Sequence, residues 1–416
     1  MDRCLIFRNE NPLKYRYMRT LRLFSYCLGI WPGNMLDEKM SKFYDYFIKL
    51  APLQAIIVFM GEIYYLVQRY GTIDFYSLGE VLINTLLTFI TFVSNIFFYL
   101  ETERFIKEFH LGNFMQLPLL YLFQVADRIN KISNYYTLGM IPIIWLGVIL
   151  FNLSPFWTNV TSGAFENPRP QNITLRFSVY YEYPGFKPEE NFILATLLNL
   201  YFSYACTVIV CTLDLLLILM CFQIVGHQMV LQYNLDDFPK PKKISLLHIT
   251  GKVSVTVEKY SIDENTYIHC LLMENVLHHR YILCFVDDIS SFFGPMMGLV
   301  YFFDVTGFCL LFLECSQLDS ESLARFGPLT IIAVSQLLEI SIIFEIVGSM
   351  SEKLKDNVYN LPWQCMDLKN QKTLLIFLNR IQTTMHITCM GVLPVGVQSM
   401  ASVSFTLYCF NLKPNL

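Results

Sequence analysis

The sequence predicts an all-α membrane protein with seven transmembrane helices, a cytosolic N-terminus and an extracellular C-terminus, its last helix broken near Gly391 and Pro394. Three observations carry this. Of 416 residues, 54% are hydrophobic and only 15% charged, whereas a soluble protein carries about 25% charged residues. The apolar residues gather in blocks near the ~20 residues that cross ~30 Å of hydrocarbon. Finally, 24 Lys and Arg fall on one alternating set of connecting stretches and 6 on the other, which obeys the positive-inside rule.

The elements follow in order. Residues 1–47 form a basic cytosolic segment with a turn at Trp31–Gly33. Residues 48–225 hold helices one to four, at 48–68, 76–100, 134–154 and 192–225, with an outer loop over 155–191. A cytosolic loop and anchor region spans 226–288. Helices five and six, at 289–315 and 326–348, occupy 289–348. A second cytosolic anchor segment covers 349–380, and 381–416 holds the seventh helix and a short extracellular tail, its apolar run beginning near 376. After the Gly391–Pro394 break that helix carries Gly396, Ser399, Ala401, Ser402, Ser404 and Thr406. Small and hydroxylated residues let helices approach closely, which suits packing against copies or a partner around a pore.

Three glycosylation sequons, at Asn152 in the last turn of the third span and at Asn159 and Asn172 beyond it, cluster ahead of the fourth span and point to an outer location. The twelve cysteines fall mainly in apolar or basic stretches and read as small core residues, not a disulfide framework. Glu62, Asp214, Asp304, Glu339 and Glu345 lie within or at the ends of spans, where ionisable residues mark function or pair near the interface. His278 and His279 are adjacent, so on a helix they diverge, and no metal site is expected. No GxSxG, HExxH, phosphate-binding lysine loop or dinucleotide-binding glycine turn is present. The expectation is a non-enzyme with no cofactor, and nothing points to a nucleic acid.

Several motifs carry a resemblance. They are LRLFSYCLGIWPG near the N-terminus, SVYYEYPGF in the outer loop, DLLLILMCFQIVGHQ at Asp214–Gln228 and FFGPMMG at Phe292–Gly298. Toward the C-terminus come SEKL (Ser351–Leu354), LPWQCMD (Leu361–Asp367), LLIFLNRIQ (Leu374–Gln382) and GVLPVGVQSMA (Gly391–Ala401). In these the chain resembles the insect odorant receptors, and within them the moth sex-pheromone receptors. It departs from that group in its ending, SVSFTLYCFNLKPNL, and at Ser341 and Phe344.

The resemblance implies the tuning subunit of a ligand-gated, non-selective cation channel in the plasma membrane of olfactory sensory neurons. Such a subunit assembles with an obligate odorant co-receptor into a heterotetramer embedded in membrane lipid. It binds a volatile apolar ligand such as a long-chain aldehyde, acetate or alcohol. The last helix would line the pore, with Leu407, Phe410 and Asn411 on one face as an apolar constriction and polar lip. The ligand pocket would lie in the outer half of the bundle. Span directions place Asn84, Leu87 and Thr88, then Trp145 and Val148, Phe202 and Ala205, and Thr330, Val334 and Ser335 as its candidates. Two other classes remain to be separated: a transporter of lipid-like molecules, and a G-protein-coupled chemoreceptor. The first would show uptake instead of prompt current, and the second needs a cytosolic C-terminus.

Overall fold

The computed structural model describes residues 12–29, 31, 41–73, 75–108, 119–166, 170, 173–241, 244–249, 253–315, 320–389, 393–394 and 396. A short amphipathic helix, α1 (Arg16–Cys27), precedes six long ones: α2 (Lys42–Arg69), α3 (Phe75–Glu108), α4 (Leu119–Thr161), α5 (Phe192–Asp236), α6 (Ile262–Cys315) and α7 (Ser320–Tyr359). Among the described residues, these six are long and apolar enough to cross a membrane. Their prolines, Pro52, Pro142, Pro155, Pro295 and Pro328, sit inside helices, as membrane bundles tolerate.

The helices outrun the expected spans. The 45 residues of α5 and 54 of α6 reach roughly 68 and 81 Å at 1.5 Å per residue, more than twice the hydrocarbon thickness. Thus α4 runs to Thr161 where a loop was expected from 155, α5 continues to Asp236, and α6 begins at Ile262. A Ser261–Glu264 capping box starts α6: Glu264 N–H donates to Ser261 Oγ at 3.3 Å, and Ser261 N–H to Glu264 Oε2 at 2.7 Å.

Between α5 and α6, β1 (Ile244–Ile249) pairs antiparallel with β2 (Val253–Glu258), Ile249 opposite Val253. The apolar core centres on α5, whose buried residues from Ala205 to Leu235 pack against α1, α3, α4, α6 and α7.

A polar junction closes the far end of the bundle. After a 3₁₀ turn at Trp363–Cys365, Asp367 accepts from Asn370 N–H at 2.9 Å and starts α8 (Leu368–Ile381). The Asn370 amide donates to Asn265 O at 2.9 Å, and Asn370 Oδ1 lies 2.9 Å from His269 Nδ1. Tyr260 N–H donates to Cys365 O at 3.0 Å. The LPWQCMD stretch is therefore stitched to the start of α6.

The apolar run from 376 is not one helix. α8 stops at Ile381, residues 382–387 are non-helical, and β3 (Thr388–Cys389) pairs with β4 (Leu393–Pro394) across the expected break. Leu407, Phe410, Asn411 and Asn172 lie outside the described residues, as does the side chain of Asp304.

Candidate ligand-binding site

Toward the end of the bundle where α4 joins α5, six helices and the connecting loop enclose a cavity of about 240 Å³. α3 contributes Glu80, Ile83, Asn84, Leu87 and Thr88, a run on one helical face. α4 adds Ile143, Ile144, Gly147 and Phe151. α5 adds Phe202, Ser203, Cys206, Thr207, Val210, Cys211 and Asp214. Val300, Phe303 and Leu311 come from α6, Val58 from α2 and Val179 from the loop. α7 presents Phe326, Leu329, Ile332, Ala333, Gln336, Leu337 and Ile340. Most of these walls are hydrocarbon.

The stretch SVYYEYPGF closes the chamber. Asn84 Nδ2 donates to Ser178 O and Asn199 Nδ2 to Val179 O, each at 3.1 Å, so α3 and α5 hold consecutive loop carbonyls. Tyr181 is buried edge-on against Phe202, ring centroids 5.9 Å apart. Pro184 and Gly185 then turn the chain. Gly185, at φ 85°, takes the left-handed position that a type II turn reserves for glycine, and Phe186 N–H donates to Tyr183 O at 3.0 Å. Tyr183 OH donates to Ile57 O at 3.0 Å on α2. Burial pushes that hydroxyl up to about 12, so it stays a donor at physiological pH.

The polar groups of the chamber are few and mostly engaged. Thr88 donates to Glu62 Oε1 at 3.0 Å; Glu62 is wholly buried behind it. Thr207 returns its hydroxyl to Ser203 O at 2.8 Å, and Gln336 Nε2 lies 3.7 Å from Cys211 Sγ. Asp214 forms part of the deep wall. An apolar chamber with a few fixed dipoles suits an apolar ligand carrying one small polar group, because the dipoles orient it while the walls supply contact. Among the described residues no group of His, Cys, Asp and Glu forms a metal site.

Of the residues expected from sequence, the structure brings Asn84, Leu87, Thr88 and Phe202 together in this chamber. The others fall beside it. Trp145 is on the outside of α4, stacked on Tyr204 at 5.1 Å, and Val148 is buried one position past Gly147. Ala205 faces a small separate void shared with α2. Thr330 donates to Phe326 O, while Ser335 is exposed and donates to Ile332 O; with Val334 they lie one residue out of phase with the lining face of α7. A missed signal was present on α5. Ser203, Cys206, Thr207, Cys211 and Asp214 form a polar or small stripe at helical spacing on an otherwise apolar helix.

Two of the sequon asparagines are structural in this fold. Asn159 is 2% exposed, its Nδ2 donating to Arg176 O at 2.6 Å while Arg176 N–H donates to its Oδ1 at 3.0 Å. Asn152 lies inside α4 with its amide donating to Val148 O at 2.8 Å and Ser203 Oγ at 3.0 Å.

No curated protein matches the sequence. The fold is similar to that of the insect olfactory receptor OR5 from Machilis hrabei, with a TM-score of 0.74 at 13% identity, covering 96% of this chain and 98% of that one. The same receptor in complex with eugenol matches with the same figures. The model of the 7tm odorant receptor family matches residues 81–408. That region takes in most of the chamber and the polar junction at the far end of the bundle, and the chain belongs to the 7tm odorant receptor family.

Proposed function

We propose that this odorant receptor is the tuning subunit of a non-selective cation channel, assembled with an odorant co-receptor and opened by a long-chain volatile of the sex-pheromone type. The observation that carries the reading is the chamber: apolar walls from six helices around about 240 Å³, with a handful of fixed polar groups. That volume sits just below the ~300–1,000 Å³ of drug-sized pockets, which favours a slender chain over a bulky ring system. Each methylene moved from water into such walls contributes about 0.8 kcal/mol. Chain length therefore supplies affinity, and Asn84, Thr88 and Gln336 sense the oxygenated end. The similar OR5 receptor is in complex with eugenol, which supports a small volatile ligand for this fold.

In this reading the N-terminus is cytosolic, the loop that closes the chamber and the C-terminus are extracellular, and the C-terminal segment 381–416 supplies the pore lining. The polar junction of α6, α8 and LPWQCMD lies on the cytosolic side, where subunits meet. The test is whole-cell current from cells expressing the chain with and without the co-receptor, against C10–C18 aldehydes, acetates and alcohols. Current only with the partner, starting within milliseconds of ligand, is the expected result. Ligand uptake over minutes with no current would instead make it a transporter.

A further inference from the structure

Beside the chamber lies a second cavity of about 330 Å³, between the end of α4, the start of α5 and the loop around Arg176–Ser178. Its rim is hydrocarbon on the outside of the bundle, Leu153 and Leu197 being 50% and 61% exposed. Its floor is polar, with Asn152, Asn159 and Asn199. Asn199 is only 3% exposed, and its Nδ2 is committed to Val179 O, which fixes the amide orientation. Its Oδ1 is buried without a protein partner. A buried acceptor left unsatisfied is costly, and it calls for a donor. A hydroxyl provides one; an aldehyde or an ester does not.

A hydrogen-bonded pair of side chains stands between the two cavities. Asn152 lines the outer groove and Ser203 the chamber, and the Asn152 amide donates to Ser203 Oγ at 3.0 Å. The neighbouring residues alternate in the same way, Ser178 on the groove and Val179 on the chamber, Asn152 on the groove and Phe151 on the chamber.

We propose that the α4–α5 groove is a membrane-facing site for an aliphatic alcohol, its hydroxyl on Asn199 Oδ1 and its tail along Leu153 and Leu197, and that the Asn152–Ser203 pair is the latch through which the ligand passes into the chamber. The passage rests on the chamber being the ligand site, as proposed above. A hydrophobic ligand concentrates in the bilayer, so a lateral portal meets it where it is most abundant.

The test uses the full chain in lipid nanodiscs and a dodecan-1-ol bearing a mid-chain diazirine, with its methyl ether as the control that cannot donate. The alcohol is expected to label α4 and α5 at the groove about tenfold more than the ether. It is also expected to reach Leu329 and Ala333 on the chamber side of α7. Leu197→Trp, on the exposed face, should abolish groove labelling and slow chamber labelling several-fold at an unchanged plateau. Asn152→Ala should speed it. Equal groove labelling by the ether, or chamber labelling as fast in Leu197→Trp as in the parent, would overturn the proposal. So would loss of the groove label on adding cholesterol with the chamber rate unchanged, which would mark a resident lipid site. If the groove labels but the chamber never does, the chamber reading fails and the passage with it. A groove that fails by itself leaves chamber labelling intact, so the two failures are separable.

Discussion

Tyr183 of the loop between α4 and α5 packs against Gly61 of α2 so closely that a Cβ at Gly61 would stand 2.5 Å from the ring. Glu182 N–H also donates to Gly61 O at 3.1 Å. The glycine is thus the seat on which the loop closes the chamber.

Gly61→Ala is expected to unseat that loop. Overpacking costs about 1–3 kcal/mol, which outweighs the gain of up to ~1 kcal/mol from alanine in a helix. Faster proteolysis within 178–190 and a lower melting temperature would show it. Gly147→Ala is the control, since no atom lies within 4 Å of a Cβ there; only the helix gain acts, so loop proteolysis should be unchanged and the melting temperature should not fall.

Thr88 holds a carboxyl with no exposure to solvent. Thr88→Val removes the donor to Glu62 Oε1 and should cost about 1–3 kcal/mol, read as thermal unfolding in detergent. Thr88→Ser keeps the hydroxyl and should restore most of the loss.

Asn159 is clasped by the backbone of Arg176 on both sides of its amide. Asn159→Asp keeps the acceptor for Arg176 N–H but sets a second oxygen against Arg176 O. The expected result is a loss of about 1–3 kcal/mol with no change in the glycosidase-sensitive gel shift. A shift lost with Asn159 would show that a glycan is carried there.

At the opposite end of the bundle, Asn370→Ala removes the amide that ties α8 to Asn265 and His269. Stability should fall by about 1–3 kcal/mol, with hydrogen exchange rising in α8 and the first turns of α6 while the chamber helices keep their protection.

The sequence made the six long helices legible because apolar blocks of this length have few other uses. What it hid was rotation. Where α7 meets the chamber its polar residues Thr330, Ser335 and Gln336 fall on more than one face, so nothing in its pattern separates Ala333 from Val334, and the expected residues sit a single residue out of phase with the lining face. On α3 the polar pair Asn84 and Thr88 marks one face, and that face lines the cavity. The hairpin β1–β2 was readable too. VSVTVE alternates strictly and pairs with ISLLHI, within the connection expected over 226–288. The end of α5 and the start of α6 were hidden because hydropathy marks where a helix meets lipid, not where the helix ends.

The most direct test of the chamber as the ligand site is the dose–response of the co-receptor complex carrying Ala333→Phe beside that carrying Val334→Phe. Ala333 lines the cavity and Val334, the next residue, does not. The account predicts that Ala333→Phe raises the half-maximal ligand concentration at least about tenfold, near 1.4 kcal/mol, while Val334→Phe changes it little. Equal effects from both, or a larger one from Val334→Phe, would contradict it.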